Sequence, residues 1–391
     1  PSIEFLSEFK MMTSLYSAEY GRNLGSVINV TTRSGTNQFH GGVYEFLRNT
    51  KLNARPFFNP QRGQNNQHQF GGNLGGPVII PKLDDGKNRT FACAACESLR
   101  QLNANSSAAT LRRVVPTEAE REGVFRNTIR DPLTGNPFPN NAIPSSRINA
   151  ISRNVQNAFI PTPNFNSGGA INFFAQQSIT TDLDQWTSRV DHRFGDNDSL
   201  FVRWFSSYQT DTAPFGRGLP GFSQFALRDK HSLNVTHTHT FSPTLIMEAR
   251  FGFDRTAQYT QLGNKTNPTT LGFQPLSITN LDGPPRINIR NYVEFGNNAN
   301  WSDFINGFNG GLTMTWIQGR HTWKYGFESR SNHYNPQNTL TSRGQWDYRG
   351  DATGNEYADF LLAVPRSKLF GAGPAELKMM DTSITGFVND E

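Results

Sequence analysis

The feature that most restricts this chain is a strict period-two alternation of side chains, broken at very unequal intervals. From Gln185 to Phe194, one side carries Trp186, Val190 and Phe194 with Ser188 and His192 between them. The other side carries Thr187, Arg189, Asp191 and Arg193. Residues two apart share a face of a β-strand, so this run predicts a strand with one apolar and one polar face. The turn signal Gly195-Asp196-Asn197-Asp198-Ser199 follows, and then Leu200, Val202 and Trp204 alternate in their turn. The plan recurs. Leu233, Val235, His237, His239 and Phe241 lead through Ser242-Pro243-Thr244 into Leu245, Met247, Ala249, Phe251 and Phe253. Leu312, Met314 and Trp316 lead through Gly319-Arg320-His321 into Trp323, Tyr325 and Phe327.

Turns within these hairpins are short. Between hairpins lie long stretches rich in Gly, Pro and Asn, near 103–182, 209–230, 256–306 and 335–382. A soluble sandwich turns every 8–12 residues or so. Short turns alternating with long connections match a membrane-spanning β-barrel, with short periplasmic turns, long external loops, an apolar face toward lipid and a polar face toward the lumen. Composition agrees. Only 35% of residues are hydrophobic, yet 12% are aromatic, with 31 Phe and 35 Gly. Low hydrophobicity alone is also the mark of a disordered chain, but the aromatic content and the periodic segments argue against that. No apolar run is long enough for a membrane helix. Charges of both signs are interspersed around a net of +5, without a basic run interleaved with aromatics, so no nucleic-acid partner is expected.

The alternation predicts about nine strands, with a tenth beginning near Ile384. The first residue is Pro1, and Phe387-Val388-Asn389-Asp390-Glu391 reads as part of a strand, so a fragment of a longer protein is expected. Residues 1–37 differ from the rest. Val27–Thr32 is a short β-branched strand between Gly21-Arg22-Asn23-Leu24-Gly25 and Ser34-Gly35-Thr36-Asn37, and the segment reads as the tail of another domain.

The run Glu19-Tyr20-Gly21-Arg22-Asn23-Leu24-Gly25-Ser26-Val27-Ile28-Asn29-Val30-Thr31-Thr32-Arg33-Ser34-Gly35-Thr36-Asn37 resembles the end of a TonB-dependent receptor plug and its linker into the barrel. Gly25-Ser26 stands where that family often has Gly-Gly. Phe39-His40-Gly41-Gly42-Val43-Tyr44-Glu45-Phe46 is similar to its first barrel strand. Phe70-Gly71-Gly72-Asn73-Leu74-Gly75-Gly76-Pro77-Val78 resembles the second strand of the Oar-like subgroup. Val115-Pro116-Thr117, Asp131-Pro132-Leu133-Thr134-Gly135 and Ile143-Pro144-Ser145-Ser146-Arg147-Ile148 resemble that subgroup's first long loop. Thr238-His239-Thr240-Phe241-Ser242-Pro243 and Asp359-Phe360-Leu361-Leu362 follow in the expected order. One stretch departs: Phe91-Ala92-Cys93-Ala94-Ala95-Cys96-Glu97 stands where an aromatic-rich strand is usual, which leaves the packing of that strand open.

The resemblance implies an all-β fold, the antiparallel transmembrane barrel of a Gram-negative outer-membrane receptor. Residues 1–37 would be the end of the plug, and 38–391 would supply nine to ten of the family's 22 strands. It implies energised uptake of a large or scarce solute, with TonB acting through a segment outside this chain. Outer-membrane lipid, lipopolysaccharide and an unidentified external ligand would be the other partners, and the barrel would be monomeric. A barrel-anchored adhesion or structural protein is the alternative, one that has no use for a plug.

Candidate site residues follow from the faces. Arg189, Asp191, Arg193, Arg203, Glu248, Arg250, Asp254, Glu328 and Arg330 fall on the polar face. Of the charged residues, Arg22, Arg33, Glu248, Arg250 and Glu328 are the candidates for contacts between plug and barrel. Solvated lumen charge is the plainer reading of the wall residues. Cys93 and Cys96, three apart on a strand, point to opposite faces and are not expected to act as a redox pair. His231, His237 and His239 share a face with apolar residues, which suits a membrane-interface girdle better than a metal site. No G-x-S-x-G, H-E-x-x-H or phosphate-cradling glycine loop occurs, so no catalytic residue, metal or cofactor is expected.

Orientation is testable in the full-length protein. Asn264→Cys should react with an impermeant thiol reagent on whole cells, and Asn197→Cys should not. The reverse pattern would invert the barrel.

Overall fold

The computed structural model describes residues 3–13, 25–55, 57, 62–79, 86–104, 106–274, 283–296, 301–338, 343–371 and 376–390. In chain order the strands begin with β1 (Leu6–Met12), β2 (Val27–Thr32), β3 (His40–Arg48), β4 (Asn65–Pro77), β5 (Thr90–Asn103), β6 (Thr110–Arg113) and β7 (Phe173–Gln176). Then come β8 (Ile179–Arg193), β9 (Asp198–Ala213), β10 (Gln224–Ser242), β11 (Leu245–Leu262), β12 (Arg286–Ile289) and β13 (Glu294–Phe295). The last are β14 (Trp301–Gln318), β15 (His321–Asn338), β16 (Gln345–Tyr348), β17 (Ser367–Leu369) and β18 (Met379–Asp390). The helices are α1 (Glu118–Arg121), α2 (Ala150–Phe159) and α3 (Glu356–Leu361).

Ten strands form one antiparallel sheet in the order β18-β15-β14-β11-β10-β9-β8-β5-β4-β3. The tenth, β18, contains Ile384 but starts earlier, at Met379. Register carries the alternation from strand to strand. Val190, Val202, Val235 and Phe251 stand directly opposite one another across β8 to β11. One residue along, Asp191, Phe201, Thr236, Arg250, Gly311 and Glu328 form the matching row on the other face. A slip of one residue would exchange the two faces, so burying one face in an apolar medium specifies the register.

Along β11 the apolar face runs from Leu245 to Phe253, about the 9–11 residues that a tilted strand needs to cross a membrane. Trp316 and Trp323 face each other at one end of the band. At the other end the row becomes His231, Arg255 and Asn306, where the Arg255 guanidinium donates to the Asn306 side chain at 3.0 Å. The strands do not stop there. β10 has 19 residues, about 60 Å of chain at roughly 3.3 Å per residue, far more than an apolar band of about 25 Å requires. The connections are correspondingly shorter than the alternation suggested: 104–178, 214–223, 263–300 and 339–378. Beyond the apolar band polar residues interrupt the outer face between Leu227, Tyr259 and Phe304, so the sequence loses its strict period while the backbone ladder continues.

Nor are the long connections open loops. All four contribute to one buried core. The first gives Val115, Phe125, Ile129, Phe138, Ile143 and Val155, the second Leu219 and Phe222, the third Ile287, Ile289, Val293 and Phe295, and the fourth Tyr348, Tyr357, Phe360 and Leu361. Two small sheets, β13-β12-β16-β17 and β6-β7, and the three helices frame this cap. Thr117 starts α1 with a capping box to Glu120, and the Asn149 side chain accepts from Ile151 and Ser152 at the start of α2. Distant segments meet through buried hydrogen bonds. The Tyr357 hydroxyl donates to Gln156 Oε1 at 2.6 Å, and the Ser152 hydroxyl to the Phe360 carbonyl at 2.6 Å. Arg147 forks onto Asp131 at 3.0 and 3.1 Å, and its guanidinium holds the Asp131 carboxyl below the usual carboxylate range. Burial pushes the Tyr357 hydroxyl up, so it stays a donor at neutral pH. The loop motifs singled out in the sequence are thus the joints of the cap.

Two substitutions test this architecture. Phe251→Arg puts a charge on the apolar face, which costs about 2–4 kcal/mol near mid-membrane, and should reduce barrel assembly, whereas Arg250→Ala should be tolerated. Equal tolerance at both positions would show the faces to be exchanged. Phe360 is 1% exposed, and Phe360→Ala should cost the cap about 3–5 kcal/mol. Limited proteolysis should then cut the 104–178 segment while the heat-modifiable gel migration of the barrel persists.

Candidate functional site

Residues 3–13 and 25–37 pack on the polar face of the sheet at β4, β5 and β8. β1 and β2 pair antiparallel, and the Arg33 amide and guanidinium close their end on the carbonyls of Phe5 and Leu6, at 2.9 and 3.2 Å. Phe5, fully buried, packs on Cys93 and Ala95 of β5. A long aromatic at either wall position would occupy the space that the Phe5 ring fills. The aromatic-poor run at 91–97 is therefore a receptacle, which answers the packing question its sequence raised.

Arg189 holds the other side of this seat. Its Nη1 donates to the carbonyl and hydroxyl of Thr32 at 3.0 and 3.2 Å, while Nε and Nη2 bond the Asp191 carboxylate at 2.9 and 2.7 Å. Its guanidinium also lies 4.6 Å over the Phe201 ring. Asp191 and Phe201 thus fix the guanidinium that grips β2. The linker Ser34-Gly35-Thr36-Asn37 is pinned as well. A Cβ on Gly35 would come within 2.9 Å of the Ala92 and Gly76 carbonyls and Phe91, so only glycine lets the chain lie this close. Asn37 and Asn88 exchange hydrogen bonds, with the Asn88 amide donating at 2.7 Å. Beside the seat, Tyr44 crosses over Gly71 to donate to Glu97 at 2.7 Å.

The residues singled out from sequence fall in several places. Arg22 lies outside the described residues. Arg33 bonds the carbonyls of its own hairpin. Glu248 and Arg250 share the polar face and pair with each other at 3.4 Å, and Arg250 also donates to Thr313 at 3.0 Å. Glu328 stands in the same cross-strand row as Arg250, opposite Gly311. The contacts of Phe5, Gly35 and Arg189 were missed. Their one signal was the run of small residues on β5 facing a charged row on β8.

Cys93 is buried and Cys96 exposed on opposite faces. His237 and His239 both reach the Asp198 carboxylate, at 3.0 and 2.7 Å, and His231 stacks on Trp204 at 5.8 Å. Among the described residues no group of His, Cys, Asp or Glu is arranged to hold a metal ion.

A family model described as "Outer membrane beta barrel domain" matches residues 31–391. The chain belongs to this outer-membrane barrel family. Its apolar face is therefore the lipid face, in the outer membrane of a Gram-negative bacterium, and its polar face lines the lumen. Over 90 residues the barrel chain is 41% identical to the TonB-dependent transporter Oar of Myxococcus xanthus, a match that covers 21% of this chain and 8% of that protein. Among solved structures it is similar to the outer membrane transporter YddB from Escherichia coli, with a TM-score of 0.49 and 9% identity, covering 99% of this chain and 43% of that one. It is also similar to the ferric-catecholate import receptor Fiu from E. coli K12, with a TM-score of 0.40 and 10% identity, covering 98% and 56%. The barrel chain spans less than two thirds of each of these proteins, which are named as transporters and a receptor rather than as enzymes.

Proposed function

We propose that this chain is part of a TonB-dependent transporter that takes up a large or scarce solute across the outer membrane, with residues 1–37 as the end of a movable plug and 38–391 as part of a 22-stranded, monomeric barrel. The observation that carries the reading is the seat on the lumenal face. A barrel used only as an anchor has no need to hold a separate hairpin there, through one buried ring, one guanidinium and a glycine-tight crossing. The hairpin's other face supports the same reading. Phe9, Met11, Ile28 and Val30 lie together on it and are 38–61% exposed, an apolar surface suited to the remainder of a plug domain. TonB would act on that remainder. Arg22, Arg33, Glu248, Arg250 and Glu328 are the charged groups proposed to join plug and wall elsewhere, alongside the Arg189 grip. The folded cap would stand outside the membrane, over lipopolysaccharide, and receive the external ligand. The solute class stays open between siderophore complexes, cobalamin, glycans and peptides.

Cys93 reports on this mechanism because Phe5 covers it. In a Cys96→Ala background of the full-length protein, a thiol reagent should label Cys93 faster in energised cells with TonB than in cells without it. Phe5→Ala should raise labelling in both. Equal labelling with and without TonB in the Phe5-containing protein would refute a plug that moves off this seat and leave the anchor reading.

A further inference from the structure

On the lumenal face, Arg189 of β8 stands directly opposite Arg203 of β9, and the row continues through Asn234, Gly252 and Asn309. Like charges placed directly opposite across a strand pair are destabilising. The two arginines are not equivalent. Arg189 spends its donors on Asp191 and Thr32. Arg203 is half-buried and makes no hydrogen bond or ion pair with any of the described residues. Of the acidic groups near it, Asp191 is held by Arg189, and Asp254 acts on Arg203 through its charge without an ion-pair contact. On its own strand Arg203 lies between Phe201 and Phe205 on the same face, so apolar rings flank the charge.

This guanidinium is partly desolvated, repelled by its neighbour and bordered by aromatic rings, and no oxyanion among the described residues bonds it. We infer that Arg203 is the anchor of an anion-binding site in the barrel lumen, which takes a carboxylate or phosphoryl group of a passing ligand through the planar fork of the guanidinium. Binding an anion there relieves the repulsion between Arg189 and Arg203 and leaves the Arg189 grip on Thr32 intact. Held by one anchor, the ligand is bound weakly enough to leave again, as a site on a solute path requires. The inference rests on the reading of this face as such a path.

The test uses the full-length protein in detergent and inorganic phosphate as probe, followed by the width of its 31P resonance. The wild-type protein should broaden the line saturably. Arg203→Gln should weaken the interaction about tenfold or more, since the charge-assisted hydrogen bonds of the fork are lost. Arg203→Lys, which keeps the charge but loses the fork, should fall between them. Arg100→Gln, on the outer face, should match the wild type. Competition by acetate would assign the site to oxyanions in general, and its failure would restrict the site to phosphoryl groups. Absence of saturable broadening in the wild type overturns the inference. So does undiminished broadening in an Arg203→Gln protein that keeps its heat-modifiable migration. TonB-independent Cys93 labelling together with Arg203-dependent phosphate binding would remove the transport reading and leave the site standing.

Discussion

Backbone pairing in lipid is the constraint on which the rest depends. An N–H or C=O left unpaired in hydrocarbon costs several kcal/mol, so a chain that crosses as strands must pair every one of them with a neighbour. Between its edge strands β3 and β18 the ten-stranded sheet does this with an almost unbroken antiparallel register. Given that ladder, side chains have only two directions available. Phe251 and its row meet lipid, and Arg250 and its row meet the lumen.

The same constraint explains why the largest core lies outside the spanning region. A barrel wall one strand thick has no interior of its own, and its apolar side chains are covered by lipid. The cap must cover its own. It does so by combining apolar residues from all four connections in one core. Phe295, Phe222 and Phe159 from three of them meet ring against ring at 5.1–5.9 Å. Asp359, buried in this body, accepts hydrogen bonds from the Thr353 amide and hydroxyl at 2.9 and 2.7 Å, and burial still pushes its carboxyl above the usual range.

The seat of the N-terminal hairpin shows how a departure from an expected pattern can carry information. Small residues at Cys93 and Ala95 look like a weak strand when read along the chain. Across the lumenal face they are the floor beneath Phe5. Arg189 was legible as a polar-face residue, and its partner was not, because Thr32 lies 157 positions away and donates no pattern of its own.

Alternation, turn residues and the unequal spacing of the hairpins were enough to determine the sheet, its two faces and the hairpin partners, because these depend on neighbours one or two residues along the chain or across a tight turn. Strand ends were less legible, since beyond the apolar band polar residues occur on both faces and the strict period is lost. Only the tertiary structure decided that the long connections share one core, that β5 is the receptacle for Phe5, and that Arg203 stands beside Arg189 with no hydrogen bond or ion pair among the described residues. Each of these depends on contacts between segments far apart in sequence, such as the bond from Tyr357 to Gln156 across 201 positions. A local pattern cannot encode which of many distant partners a side chain will meet; that is settled by the register of the whole sheet, which brings the ends of its strands together.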